Sequence, residues 1–277
     1  MLDIYSALLP ALRLLPPEAA HNLTIRFLAL GFGPIDRTIS DPVLATEVWD
    51  LEFSNPLGLS AGFDKGAQVP EAMVRAGFGF AEAGTVTPLP QSGNPKPRMF
   101  RLLRDRAAIN RLGINSEGLG PYVRRISKRG VCTGPFGANI GSNRTTEDTA
   151  ADYEIGIEAV ASYVDYLVCN ISCPNVTGHS ATQERTKLAE IIERSLQARA
   201  RAVPHKSKTP PVIIKISPGS TSLIKSAPII SSPQLSELNI YVSLSFPKTN
   251  GLIPNGSLTP ISESFVNKTK ENAPVID

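Results

Sequence analysis

The spacing of apolar positions along this chain changes at Leu51. Before it, Leu2, Tyr5, Leu8, Leu9, Leu12 and Leu15 recur at helical intervals until Pro16-Pro17 stops the run. Leu23, Ile25, Phe27, Leu28 and Leu30 then predict a second amphipathic helix over residues 18–30. From Leu51 onward, short apolar segments end in glycine-rich or polar turns and alternate with helix-like stretches, the pattern of βα units. Strands are expected at residues 57–61, 78–85, 136–140, 166–170 and 212–216, with helices at 69–76, 151–163 and 186–202. The main body therefore reads as α/β with a parallel sheet.

The stretch Asp165-Tyr-Leu-Val-Cys-Asn-Ile-Ser-Cys-Pro-Asn175 organises the reading. Tyr166, Leu167 and Val168 are β-favouring and apolar, after which Asn170, Ser172, Cys173 and Asn175 crowd together and Pro174 removes a ladder donor. In parallel α/β proteins, ligands gather outside the carboxyl ends of the strands. The bland alternative is a polar loop with a satisfied asparagine and a core cysteine. Other strand ends carry the same kind of residue. The first runs into Ala61-Gly-Phe-Asp-Lys65, the second into Gly84-Thr85, the third into Asn139-Ile-Gly141 and the fifth into Lys215. Ile109-Asn-Arg-Leu-Gly-Ile-Asn115 adds a polar segment flanked by glycine.

Size and charge narrow the class. The 277 residues suffice for one large domain, and a net charge of +3 with scattered basic residues gives no nucleic-acid surface. Cys132, Cys169 and Cys173 are an odd set without zinc-like pairing, which favours a reducing compartment. His21, His179 and His205 lie too far along the chain to complete a ligand set, so no metal is expected. No apolar run reaches the roughly 18 residues of a membrane span. Met1-Leu-Asp lacks a basic signal region, and Asp3 and Glu18 argue against a transit peptide. The leading helices have two readings: extra core packed on the main body, or a monotopic foot in a membrane interface that admits an apolar substrate.

Together these residues resemble the class 2, quinone-linked dihydroorotate dehydrogenases over roughly residues 1–218. The likeness is carried by Ala-Gly-Phe-Asp-Lys at 61–65, Gly-Thr-Val-Thr-Pro at 84–88, Asn-Arg-Leu-Gly at 110–113 and Asn-Ile-Ser-Cys-Pro-Asn at 170–175. The leading helices match that family's hydrophobic extension, and this favours the membrane foot. The resemblance implies a TIM-type (β/α)8 barrel carrying FMN and oxidising dihydroorotate to orotate in pyrimidine synthesis. It implies that Ala61, Gly62, Phe63, Asp64, Lys65 and Thr85 line the flavin, with Lys65 also reaching the substrate carboxylate. Asn110, Arg111, Leu112, Gly113 and Ile114 would close over the pyrimidine. Asn139 and Asn170 would hydrogen-bond flavin and substrate, Asn175 would hold the substrate, and Lys215 would sit beside the isoalloxazine ring. Cys173 stands at the position of the catalytic base that takes the proton from C5 while a hydride leaves C6 for the flavin. Electrons would pass to a membrane quinone. The expected location is peripheral, on the cytoplasmic side of a bacterial inner membrane.

The chain departs from the family pattern in places. Class 2 enzymes usually carry serine as the base and class 1 enzymes cysteine. Ile114 stands where phenylalanine is usual, Ser142 where lysine commonly follows Asn-Ile-Gly, and His179-Ser180 where Leu-Arg is usual. The larger departure follows Pro218. All 17 arginines precede residue 217, and 12 of the 61 residues from there on are serine. Residues 220–233 lack clear periodicity, one strand is plausible at 240–245, and Thr249-Asn250 only weakly matches the family's pair after strand 6. The expected architecture is thus a barrel incomplete after strand 5 or 6, without the loops that usually hold phosphate. Residues 1–40 form the leading helices, 41–218 the flavin- and orotate-binding part, and 219–277 an atypical tail. An out-of-frame or altered gene end is one expectation for that tail, a divergent but genuine terminus the other. The functional alternative is an inactive, truncated homologue unable to retain FMN.

Overall fold

The structure is a computed structural model that describes residues 10, 12–36, 41–105, 107–130, 134–171, 181–204, 209–216 and 238–242. Helix α1 (Pro17–Ala29) opens with proline at its first position, where the missing N–H costs nothing, and carries Glu18 in its first turn and Arg26 in its last. A hairpin of β1 (Thr46–Val48) and β2 (Leu51–Phe53) follows, its turn made by Trp49 and Asp50 at φ 56° and 57°. Then come β3 (Gly58–Leu59), α2 (Pro70–Arg75) and β4 (Phe80–Val86). A second hairpin pairs β5 (Met99–Leu102) with β6 (Ala107–Asn110) before α3 (Leu119–Ile126). The remaining order is β7 (Phe136–Ile140), α4 (Thr149–Val160), β8 (Tyr166–Asn170), α5 (Ala181–Ala202), β9 (Val212–Ile216) and β10 (Leu238–Val242). Helix α4 is capped by Asp148, whose carboxylate accepts from the Ala151 N–H at 2.9 Å.

Six strands form one wholly parallel sheet in the order β3-β4-β7-β8-β9-β10. Each βα unit lays its strand beside the preceding one, the winding of a TIM-type barrel wall. Among the described residues this wall is open, with β3 and β10 at its edges. The architecture is the incomplete α/β barrel expected.

The sheet separates two cores. Its outer face sets Ala83, Phe136, Ala138, Ile140, Leu167, Cys169 and Ile214 against the Tyr122, Ile157, Ile192 and Leu196 side chains of the helices. Its inner face holds a lower apolar layer of Phe80, Tyr166, Val168 and Ile213, reached by Leu51. Phe53 meets Phe80 edge-on at 5.2 Å, so the first hairpin reaches this layer. Glycine makes the layer feasible. A Cβ on Gly137 would lie 2.1 Å from the Tyr166 ring.

β7, β8 and β9 occupy the residues expected of them. The first strand is two residues rather than five, because the chain leaves the sheet at the glycine-rich loop. β10 begins two residues before the expected 240. Helix α3 and both hairpins were not foreseen. Residues 220–233 and most of the first leading helix lie outside the described residues.

Candidate functional site

Above the apolar layer the inner face turns polar at the carboxyl ends of the strands. Asn170 closes β8 and donates from Nδ2 to Thr85 Oγ1 at 3.0 Å. Thr85 donates in turn to Asn139 Oδ1 at 2.6 Å, and Asn139 Nδ2 donates to Glu82 Oε1 at 2.7 Å. One hydrogen-bonded string thus crosses β4, β7 and β8. Tyr153 fixes its far end by donating to the Asn170 backbone carbonyl at 2.8 Å. On β9, Lys215 is the register partner of Asn170.

Thr85 joins this string against strict alternation. With Phe80 and Glu82 inward, position 85 belongs outside, but the β4–β7 ladder shifts register between Gly84 and Val86 and turns Thr85 inward. Gly84 permits this with φ 125°, and a Cβ there would lie 2.3 Å from the Asn139 carbonyl oxygen. Burial pushes the Glu82 pKa up, against the pull of the Asn139 amide, Lys215 and the Ala61 N–H.

The loop at 61–65 is stitched to the same strand. Gly62 N–H donates to the Gly84 carbonyl at 2.8 Å, and Gly84 N–H to the Asp64 carbonyl at 2.9 Å. Asp64 spends its buried carboxylate on its own loop, accepting from Gln68 and Val69 N–H at 2.8 and 2.7 Å. Burial nonetheless pushes its pKa up. Lys65 turns the other way and donates to Asn115 Oδ1 at 2.7 Å. Burial first, then the Arg98 cation, lower the Lys65 pKa to about 8, with Glu18 opposing.

Beside this loop opens a cleft of about 770 Å³ between α1 and the segments at 62–68, 91–99 and 112–117. Glu18, Lys65 and Arg98 give it charge, and Ile25, Phe63 and Met99 give it apolar wall. His21 meets Phe63 edge-on at 5.2 Å, and burial, then Lys65, lower its pKa. The cleft lies next to the polar string rather than over it. The 61–65 loop is their common wall, since Gly62 lines the cleft while bonding β4.

The expected residues are therefore distributed as follows. Ala61, Gly62, Thr85, Asn139, Asn170 and Lys215 cluster around the strand ends, the Asp64 carboxylate is turned onto its own loop, and Phe63 and Lys65 face the cleft. Asn110 and Arg111 are exposed at the end of β6, and the Arg111 guanidinium donates to the Pro97 carbonyl at 3.0 and 3.3 Å. Leu112 lines the cleft, Gly113 takes φ 72°, and Ile114 takes φ 52° with its carbonyl accepting from Gln91 at 2.7 Å. Cys173, Asn175, His179, Ser180 and Thr249-Asn250 lie outside the described residues. Cys169 faces the outer core, 3.6 Å from Ser195 Oγ, with its pKa pushed up to about 12 by burial. Among the described residues no His, Cys, Asp and Glu cluster could hold a metal ion.

The reading of the sequence missed Glu82, Glu18, His21 and Arg98 as site residues, and included Asn115 only as the end of the polar segment at 109–115. Glu82 alone left a signal there, as a carboxylate inside an otherwise apolar strand.

Two amides, a hydroxyl and an ammonium on adjacent strand ends suit a planar ring bearing amide edges, and Lys65 suits an anion. The sequence model of the dihydroorotate dehydrogenase family matches residues 43–249. The dihydroorotate dehydrogenase (quinone) of Azorhizobium caulinodans is 47% identical over 219 residues, covering 78% of this chain and 62% of the relative. That of Rhodospirillum rubrum is 48% identical over 221 residues, covering 80% of this chain and 59% of the relative. The crystal structure of the Eimeria tenella enzyme with ferulenol, 39% identical, superposes with a TM-score of 0.65, covering 73% of this chain and 60% of that one. The chain spans about 60% of the length of these relatives. On this match and on its parallel βα order, the chain belongs to the dihydroorotate dehydrogenase family, among its quinone-linked members.

Proposed function

We propose that the protein oxidises dihydroorotate to orotate, with FMN as hydride acceptor and a membrane quinone as final electron acceptor. The observation that carries the reading is the string from Asn139 through Thr85 to Asn170, at the carboxyl ends of adjacent strands in a chain of this family. The donor set fits a flavin ring, and space is open beside it: a Cβ built on Gly62 meets no atom within 4 Å. Thr85, Asn139, Asn170 and Lys215 would hold that ring, with Ala61 to Lys65 along its edge. When bound, the flavin supplies a two-electron acceptor for the hydride of C6.

This chain's own residues do the rest. Lys65 pairs with the substrate carboxylate, and residues 110–114 together with Asn175 enclose the pyrimidine. Cys173, as thiolate, takes the proton from C5. Lys215 places positive charge where electron density accumulates. In this reading residues 41–218 bind flavin and orotate, and the leading helices at 1–40 are a membrane foot. Phe27, Leu30, Phe32 and Ile35 are exposed on and just after α1, which supports peripheral attachment at a bacterial inner membrane. No described helix is long and apolar enough to cross a membrane.

The test is the visible spectrum of the purified chain followed by anaerobic dihydroorotate and then a soluble quinone. The expected result is stoichiometric flavin, bleached by substrate and restored by quinone. A colourless chain, or a flavin that dihydroorotate leaves oxidised, overturns the reading.

A further inference from the structure

Glu82 is the one carboxylate in the polar string, and neither the proton nor the hydride transfer calls on it. Its Oε1 accepts from Asn139 Nδ2 at 2.7 Å, which fixes which end of the Asn139 amide faces it. That choice leaves Asn139 Oδ1 for the Thr85 hydroxyl at 2.6 Å. The hydroxyl proton is then committed, and Thr85 Oγ1 can only accept, which it does from Asn170 Nδ2 at 3.0 Å. Every donor in the string points back toward Glu82. Without that anchor each amide could turn over, since an amide end and its reverse have the same shape.

We infer that Glu82 is a positioning residue that sets the donor and acceptor direction of Asn139, Thr85 and Asn170, and so, through the buried Asn139, the groups that Thr85 and Asn170 turn to a bound ring. Burial fixes the arrangement: Asn139 is fully buried, and Thr85 and Asn170 are 7% and 8% exposed. The Ala61 N–H and the charge of Lys215 hold the carboxylate from other sides. The consequence for a ligand rests on the flavin reading above, whereas the direction of the string does not.

Glu82→Gln tests this, because its amide keeps the shape but can offer Asn139 either a donor or an acceptor. In the flavin-free chain labelled with ¹⁵N-asparagine, the substitution is expected to shift the Asn170 side-chain amide resonances. The same substitution made on a Thr85→Val background should leave them unmoved, since the string is already cut. Titration of the flavin-free chain with FMN, read by quenching of flavin fluorescence, should show affinity weakened roughly tenfold by Glu82→Gln. On the Thr85→Val background the further loss should be small. An Asn170 resonance unmoved by Glu82→Gln, or losses that simply add, overturns the inference. If the parent chain takes up no FMN while the Asn170 signal still responds through Thr85, the flavin reading fails and the positioning role stands.

Discussion

Arg98 grips Glu18 from 80 positions further along the chain, its Nη2 and Nε donating to the two carboxylate oxygens at 2.6 and 3.2 Å. The same guanidinium donates to the Ser92 and Asn94 carbonyls, so α1 is fastened to the loop that forms the opposite wall of the cleft.

Glu18→Gln removes the charge and leaves the nearly buried Arg98 with its carbonyl partners but no counter-charge there. The expected loss is about 2 kcal/mol in urea unfolding, limited because the Glu18 edge still touches water. Arg98 holds the Glu18 carboxyl below its ordinary 4.5. A lowered folded pKa means the contribution is complete above that value and disappears as pH falls through the folded one. The parent chain should therefore lose its advantage over the variant in acid, and a stability gap that persists there rejects the pairing as its source.

Lys65, with its pKa near 8, loses charge within the working range of an enzyme assay. If it holds the substrate carboxylate, the KM for dihydroorotate rises as pH passes about 8. Lys65→Met should raise KM roughly ten- to a hundredfold at neutral pH and flatten that rise. A KM that stays level through this range in the parent chain removes Lys65 from the carboxylate.

Gly137→Ala would press a methyl group into the Tyr166 ring at 2.1 Å. The strand cannot retreat, since β7 is laddered on both sides. The expected cost is about 1–3 kcal/mol, read as a lowered thermal midpoint. Full stability in the variant shows that the lower layer repacks.

Cys173 brings a thiol of ordinary pKa about 8.5 to a position where a serine hydroxyl ionises far less readily. Cys173→Ser should move the ascending, acid-side limb of the pH–rate profile to higher pH and slow the reaction at neutral pH. Profiles that coincide reject the thiolate as base.

Much of the wall was legible because its strands are covered on both faces. β7, β8 and β9 read as apolar runs with sudden polar ends, and that contrast marks both their limits and their chemistry. Helix α3 was hidden because Gly120 and Pro121 sit inside its stripe of Leu119, Tyr122 and Ile126. The hairpins were hidden by their shortness: their strands are three or four residues each, so even the alternation Leu51-Glu52-Phe53 spans too few positions to stand out.

The residues by themselves determined the parallel βα order and which strand ends turn polar, since periodicity and backbone chemistry act over a few neighbouring positions. Tertiary structure alone decided that Thr85 turns inward, that Glu82 meets Asn139 from 57 positions away, and that Asn115 receives the Lys65 ammonium. Those contacts depend on ladder register and one irregular step between strands, and no local period encodes either.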